Sequence, residues 1–109
     1  MDIENLRKMT CGPRDSAMLR LTLAQLLVDR NEFSEAESHL LAALEMDRDY
    51  TAAWKALGKV RQQSGDSEGA ADAWSRGIEI ARENGDKQAE KEMTVFARRL
   101  AKSDSGQAR

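Results

Sequence analysis

Apolar residues recur at steps of three and four positions along most of this chain, which is the spacing that collects side chains on one face of an α-helix. Two runs show the pattern most clearly: Leu19, Leu23, Leu26 and Leu27 near the start, and Ala89, Met93, Phe96, Ala97 and Leu100 near the end. The chain has one proline and few β-branched residues, which disfavours a β-sheet. We therefore predict an all-α protein.

Turn signals between the apolar runs divide the chain into six predicted helices. They cover about residues 2–11, 17–31, 34–46, 52–64, 67–83 and 86–102. Cys11-Gly12-Pro13 ends the first of them, because Gly permits a turn and Pro cannot continue a helix. Residues 103–109 offer nothing large and apolar to bury, so we expect this segment to be a disordered tail.

The local sequence also predicts how several helices begin and turn. Asp15 or Ser16 can cap the second helix, and the segment Ser34–Glu37 matches a capping box for the third. Asn31 and Gly65 lie at equivalent turns, and both residue types accept the left-handed backbone conformation that reverses a helical hairpin.

The chain overlays on itself when it is shifted by about 34 residues. The shift pairs Leu23 with Leu57, Ala24 with Gly58, Ala36 with Ala70, Leu40 with Trp74, Ala43 with Gly77 and Leu44 with Ile78. Small residues fall on small ones and large apolar residues on large ones, which a chance overlay would not produce. The same shift places Leu6 on Leu40, so the first helix corresponds to the second half of an incomplete repeat, as in a cap.

The second copy of this repeat carries a specific motif. Trp54, Leu57 and Gly58 are followed by Ala70 and then by a second aromatic residue, Trp74, and in this spacing the chain resembles the tetratricopeptide repeat (TPR) family. Two helices approach closely where small residues face each other. We therefore interpret Gly58 and Ala70 as the small pair, with the two tryptophans filling the core on either side.

The resemblance implies a short right-handed superhelix of antiparallel helical hairpins in a single domain of residues 1–102. Its parts would be an N-terminal capping helix (2–11), repeat 1 (17–50), repeat 2 (51–84) and a C-terminal capping helix (86–102). Repeat 1 departs from the motif at Arg20 and Leu40, which stand where the family has aromatic residues, and Arg61 replaces a frequent Tyr in repeat 2. Long Arg stems can cover apolar surface while their charged ends stay in water, so we expect the fold to be kept.

The resemblance also implies a function, because the family binds peptides in a concave groove lined mainly by the first helix of each pair. By position in the repeat, the expected lining residues are Leu21, Gln25, Val28, Lys55, Lys59, Gln62, Met93 and Phe96. The family's clamp for a terminal carboxylate needs Lys and Asn where this chain has Leu21 and Gln25. A ligand of that kind is therefore not expected.

Three features of the predicted site have more than one interpretation. Met93 and Phe96 either extend the groove or belong to a rotated helix whose apolar face seals repeat 2, and the role of a terminal cap favours the seal. Lys55 and Lys59 lie one turn apart and fit two solvated lysines as well as two ligand contacts. Both tryptophans occupy core positions of the motif, so we interpret them as core residues rather than as a recognition pair.

Composition and charge exclude several classes of partner. The formal net charge is −2 with both signs interspersed, so neither nucleic acid nor a membrane is an expected partner. No segment has the apolar length of a signal peptide core or of a membrane span. Cys11 is the only cysteine, which fits a reducing compartment, and we expect a cytoplasmic protein.

The chain also lacks the residue patterns of an enzyme. His39 is the only histidine, and no Cys or acidic pair stands at a spacing that would complete a metal site with it. Acidic and basic residues alternate at helical spacing, as in Glu83 and Lys87, which is typical of a solvated face. No Gly-rich phosphate loop or nucleophile elbow is present. We expect neither catalytic activity nor a cofactor or metal.

Two functions remain. The first is an adaptor that binds a peptide segment of another protein in the concave groove, with Lys55 and Lys59 favouring an acidic segment beside an apolar anchor. The alternative is a structural scaffold protein that self-associates through exposed apolar helix faces. The first interpretation favours a monomer, and the second requires a homodimer or larger oligomer.

Overall fold

The computed structural model describes residues 2–107, with side chains described through Ser103. It contains six α-helices: α1 (Ile3–Met9), α2 (Ala17–Asp29), α3 (Phe33–Met46), α4 (Thr51–Gln63), α5 (Ser67–Asn84) and α6 (Lys87–Gln107). Residues 2–107 include no β-strand. The predicted all-α class and the number of helices are confirmed.

Successive helices pack as antiparallel hairpins that stack on one another. The extensive contacts join α2 to α3, α4 to α5 and α5 to α6, and α3 joins the first hairpin to the second through α4. The first helices of the hairpins also touch their equivalents, α2 with α4 and α4 with α6. This arrangement gives an elongated molecule of 48 × 31 × 19 Å and places α2, α4 and α6 side by side on one surface.

Polar side chains cap four of the helices, and among these a cap was predicted only for α2. In α1, the carboxylate of Asp2 accepts from the amide of Glu4 at 3.1 Å. The Oγ of Ser16 accepts from the amide of Leu19 at 3.0 Å, and Asp66 and Asp86 accept from the third residues of α5 and α6. Of the two candidate caps for α2, Ser16 therefore caps the helix. Asp15 binds the side chain of Arg20 instead.

The predicted capping box of α3 does not form. The helix begins at Phe33, one residue before the predicted cap Ser34, and Glu32 is its N-cap without a side-chain hydrogen bond. The carboxylate of Glu37 has another partner, because it accepts from Nε of Arg61 at 2.9 Å. The side chain of Glu37, which the capping box would need, therefore binds Arg61 of the next hairpin instead.

Left-handed residues reverse the chain at four turns. The predicted pair, Asn31 and Gly65, has φ values of 61° and 91°, and Gly85 has 72°. The turn after α1 differs from the prediction. Cys11, rather than the glycine that follows it, has the positive φ of 66°, and the helix already ends at Met9.

The core consists of two clusters of buried apolar side chains. One contains residues of α1, α2, α3 and α4 together with Ala73 of α5 and is centred on Leu23, Leu27 and Leu40. The other lies between α5 and α6 around Trp74 and Met93. The rings of repeat 2 differ in burial, because Trp74 is 1% exposed while Trp54 is half-buried. Trp54 packs against both clusters and donates to the carbonyl of Arg48 at 2.8 Å.

The close approach of α4 and α5 depends on a different pair from the predicted one. A Cβ atom on Gly58 would overlap the indole Nε1 of Trp74, so the glycine makes room for this ring rather than for Ala70. The indole then donates to the carbonyl of Lys55 at 3.2 Å. Gly58 therefore permits both the burial of the largest core side chain and the hydrogen bond that its polar atom needs.

A polar network holds α1, α2 and α3 together. Arg20 binds Asp15 through Nε and Nη2, at 3.0 and 2.8 Å, and both side chains are about nine-tenths buried. Its Nη1 donates to Nδ1 of His39 at 3.0 Å, and Nε2 of this histidine donates to Glu35 at 3.2 Å. Glu35 also accepts two hydrogen bonds from Arg7, at 2.9 and 2.8 Å.

The last helix is longer than predicted. Helical backbone continues to Gln107, so residues 103–107 are helical rather than disordered, and residues 108–109 lie outside the described part of the chain. The suggested pair Glu83 and Lys87 does not form, because Gly85 turns the chain between the two helices. Instead, Nε of Arg82 binds Glu90 across this turn at 2.7 Å. No described helix is both long enough and apolar enough to cross a membrane.

Candidate binding groove

An open groove runs across the surface on which α2, α4 and α6 lie side by side. Its volume is about 440 Å³. The side chains that face it are Ala24, Gln25, Val28 and Asp29 of α2, Leu40 of α3, Ala52, Lys55, Ala56, Lys59, Val60 and Gln63 of α4, and Glu92 and Phe96 of α6. The first helix of each hairpin thus supplies most of the lining, as expected for the repeat.

The structure brings five of the eight predicted lining residues together in this groove: Gln25, Val28, Lys55, Lys59 and Phe96. They come from three helices. Residues spaced by three or four positions on α2 and α4 share one face, and side-by-side packing joins the two faces into one surface. The predicted lining is therefore largely one contiguous surface.

The other three predicted residues lie elsewhere. Leu21 is 8% exposed and packs in the first core cluster, one turn before the groove begins at Ala24. Gln62 is exposed outside the lining, and the next residue, Gln63, takes the predicted place one turn after Lys59. The two corrections have different causes. A small rotation of α4 on its neighbours brings Gln63 rather than Gln62 to the groove, whereas Leu21 shares the helix face of Gln25 and Val28 but lies one turn nearer the start of α2, where it packs in the core.

Met93 is the third correction. Its side chain is fully buried, with 0% exposure, and its sulfur lies against Gly77, where a Cβ atom would be only 2.5 Å away. The absence of a side chain at Gly77 creates the space for the thioether. Of the two predicted arrangements, α6 therefore adopts the seal at Met93, while Phe96 also faces the groove.

Phe96 connects the core with the groove. Its ring lies 5.5 Å from that of Trp74 at an interplanar angle of 45°, a tilted aromatic contact. On the other side, Nζ of Lys59 lies 4.3 Å from the ring centroid. A cation at this distance is attracted to the ring face, so the position of the Lys59 ammonium group depends on α6.

The two lysines of the groove have different environments. Lys55 binds Glu92 at 3.2 Å, with both side chains about one-third exposed. Lys59 makes no ion pair with any side chain through Ser103. The groove therefore contains one cation that is already paired and one that is available to a negatively charged ligand.

Sequence reasoning missed the small and acidic members of the lining. Ala24, Ala52 and Ala56 form a low floor, and the repeat pattern had suggested only that such residues permit close packing. Glu92 corresponds to Gly58 in the repeat overlay, so its role depends on the rotation of α6. Residues 2–103 contain no group of three or more His, Cys, Asp or Glu side chains that could hold a metal ion.

The fold and the groove define this molecule as a helical-repeat protein of the TPR type. A family model described as tetratricopeptide repeat matches residues 17–60. The TPR repeat-containing protein PA0015 of Pseudomonas aeruginosa is 48% identical over 100 residues, which are 92% of this chain and 95% of the relative. The chain belongs to the TPR family.

Solved structures with the same fold come from other bacteria. The solution structure of protein BPP2914 from Bordetella parapertussis has a TM-score of 0.83 and 42% identity, over 96% of this chain and 91% of that one. The solution structure of a tetratricopeptide repeat domain protein from Salinibacter ruber has a TM-score of 0.74 and 28% identity, over 81% and 88% of the two chains. TPR repeat proteins are generally protein-interaction modules.

Proposed function

We propose that this protein is a small adaptor that binds a peptide segment of another protein in the groove of α2, α4 and α6. The observation that carries the proposal is the combination of a low alanine floor with the cation–aromatic pair of Lys59 and Phe96 at its edge. An extended or helical segment can lie on such a floor. The aromatic edge gives it an apolar contact, and the ammonium group gives it a charged one.

The chemistry of the lining favours a segment with an apolar anchor and at least one carboxylate. Val28, Ala56 and Phe96 offer apolar surface to the anchor, which would supply most of the affinity. Lys59 would pair with the carboxylate and steer its approach. Asp29 and Glu92 disfavour a strongly acidic segment, because their carboxylates lie in the same lining.

The alternative function, a scaffold that self-associates through apolar faces, has less support. Four large apolar side chains are at least 40% exposed: Met18, Leu41, Met46 and Val95. They belong to three different helices, whereas the groove is one continuous surface. We therefore propose that the monomer is the peptide-binding unit.

Because Cys11 is a free thiol, we also propose a cytoplasmic location.

Selection from a random peptide library on the immobilised protein would test the adaptor function. We expect the selected peptides to be enriched in a large apolar residue next to Asp or Glu. Lys59→Glu should weaken their binding at least about tenfold, because a repulsive pair replaces an attractive one in a partly desolvated groove. Isothermal titration of the two proteins with one selected peptide measures this difference.

Arg48→Glu is a matched control, because Arg48 is exposed outside the groove and undergoes the same change of charge. It should leave the affinity for the selected peptide within a factor of about two at moderate salt. Equal losses in the two variants, or a selection that yields no peptide above background, would contradict the proposed function.

A further inference from the structure

The outward face of α6 carries a line of positive charge. Lys87, Lys91, Arg98 and Lys102, which we call the basic stripe, follow one another at steps of four, seven and four residues. This spacing keeps them on one face of a helix. All four are exposed, and Val95, which is 40% exposed, lies at the centre of the stripe.

The residues of the basic stripe have no ion-pair partner among the described side chains. Glu90 binds Arg82 and Glu92 binds Lys55, so these two acidic side chains of α6 already have partners on α5 and α4. No residue of the stripe makes an ion pair with a side chain through Ser103. The helix dipole does not account for the stripe either, because the dipole acts within the last turn and α6 continues to Gln107.

The chain carries a complementary line of charge on α5. Glu68, Asp72, Glu79 and Glu83, which we call the acidic stripe, are exposed and follow the same steps of four, seven and four residues. Arg76 lies at the centre, as Val95 does in the basic stripe, and its Nε is 3.5 Å from Asp72. Each stripe covers 15 residue steps, which correspond to roughly 22 Å of helix.

We propose that two copies of this protein associate through these stripes, with the basic stripe of one copy against the acidic stripe of the other. In an antiparallel arrangement, each end residue of one stripe faces an end residue of opposite charge, and the inner charges pair in the same way. The aliphatic stem of Arg76 then covers Val95. Two basic stripes repel each other, so contact between equivalent α6 helices is disfavoured.

Other anionic partners fit the basic stripe less well. Insertion into a bilayer requires an apolar helix face, and that face of α6, with Met93 and Leu100, is buried in the core. Single-stranded nucleic acid is usually held by exposed aromatic rings between the cations, and the stripe contains Val95 instead. A second copy supplies both the matching charges and the matching spacing.

The contact lies apart from the peptide groove. None of the stripe residues lines the groove, so association and peptide binding can occur in the same molecule. Exposed ion pairs are individually weak and are screened by salt. The association should therefore be dynamic and should depend strongly on ionic strength.

Sedimentation equilibrium of the full chain at two salt concentrations tests the proposal. The weight-average mass should rise with protein concentration at about 0.01 M salt and approach that of the monomer at about 0.15 M, because the Debye length falls from about 30 Å to about 8 Å. Lys91→Glu with Arg98→Glu should lower the association constant about tenfold or more, because two attractions become repulsions. Asp72→Lys with Glu79→Lys should have the same effect from the other stripe.

The decisive comparison is a mixture of the two double variants, one with charges reversed in the basic stripe and the other with charges reversed in the acidic stripe. Each variant carries one native stripe, so the mixture should associate as strongly as the native protein although each variant alone associates at least about tenfold more weakly. Lys8→Glu with Arg48→Glu controls for net charge, because it changes the charge equally at exposed positions outside the stripes. Circular dichroism of every variant checks that the fold is intact.

Three results would overturn the proposal. The native protein could stay monomeric at low salt, the mixture could fail to restore association, or the net-charge control could lose as much association as the stripe variants. Binding of the monomer to phosphatidylserine vesicles, without self-association, would assign the basic stripe to an anionic surface and would equally reject a second copy as its partner.

Discussion

Arg20 shows how a single residue changes the interior of a repeat. It is the equivalent of Trp54 one repeat earlier, yet its side chain is only 11% exposed. The guanidinium group binds Asp15 and His39, so a buried charge with good hydrogen bonds occupies the place of an aromatic ring. Such an arrangement is stable only while each member keeps its partner.

Arg20→Trp should therefore destabilise the protein, although tryptophan is what the family motif has at this position. The substitution would leave Nδ1 of His39 without its donor and Asp15 without its charged partner, so that the carboxylate keeps the amide of Cys11 but loses the guanidinium group, at a cost of about 1 to 3 kcal/mol. Urea unfolding of the two proteins measures the difference. A more stable Arg20→Trp variant would mean that the ring fills the site better than the network does.

The same network makes the free energy of unfolding depend on pH. The guanidinium group of Arg20 lowers the pKa of Asp15 to about 2, and that of Arg7 lowers the pKa of Glu35 to about 2. Because both values lie below those of the unfolded chain, the stabilisation is fully present above about pH 5 and is lost as the pH falls towards 2.

Asp15→Asn should flatten this dependence on pH. The variant should be less stable at neutral pH, and it should lose less free energy of unfolding between about pH 5 and pH 3, because one titrating group is gone. Urea titrations at a series of pH values provide the comparison. An unchanged slope in the variant would show that Asp15 does not contribute to acid sensitivity.

Gly58 is the residue at which the smallest change should have a large effect. Gly58→Ala places a methyl group against the indole of Trp74, which is enclosed and cannot move freely, so we expect a loss of about 1 to 3 kcal/mol despite the better helix propensity of alanine. Gly12→Ala is the control, since its nearest neighbour would be 3.5 Å away. Similar thermal stability of the two variants would contradict the close contact of α4 and α5.

At the scale of elements, α6 has two roles. Met93 and Leu100 close the second core cluster, whereas Glu92 and Phe96 face the groove, so the same helix completes the fold and the candidate site. The four residues fall on neighbouring faces of one helix, as their spacing requires. Damage to the cap should therefore affect stability and peptide binding together.

Two truncated chains distinguish the role of the main part of α6 from that of its C-terminal end. A chain that ends after Gly85 should aggregate or lose cooperative unfolding, because Trp74 and Ala81 lose the helix that covers them. A chain that ends after Lys102 keeps every buried residue of α6 up to Leu100 and should unfold like the full chain. Thermal melts followed by light scattering would show this contrast, and equal behaviour of the two chains would contradict the role of α6 as a cap.

The elements could be predicted because their signals are local or repetitive. The apolar periodicity and the turn residues Asn31 and Gly65 are local signals, and the overlay of the two repeats is a repetitive one. The predictions fail where contacts with a distant part of the chain determine the partner of a side chain or the orientation of a helix. Arg61 takes the carboxylate of Glu37 from a capping box, and the packing of helices decides that Gln63 rather than Gln62 faces the groove. The motif fixes the spacing along a helix but not its rotation on its neighbours.

At the scale of the whole molecule, two kinds of surface are separated. The groove combines apolar floor with a few polar groups and lies across α2, α4 and α6, while the charged stripes run along the outward faces of α5 and α6. The net charge of −2 conceals this separation, because the opposite stripes cancel in the sum. Ionic strength should consequently change the proposed self-association more than it changes peptide binding through an apolar anchor.

The most direct test of the central claim is to map a selected peptide onto the isotope-labelled protein by NMR. We expect shift changes that grow with peptide concentration at Gln25, Val28, Lys55, Lys59 and Phe96, with little change on the outward faces of α3 and α5. Addition of the peptide to Lys59→Glu should produce much smaller changes at the same residues. Shift changes confined to the outward faces, with the groove unaffected, would show that the groove of α2, α4 and α6 is not the peptide-binding site.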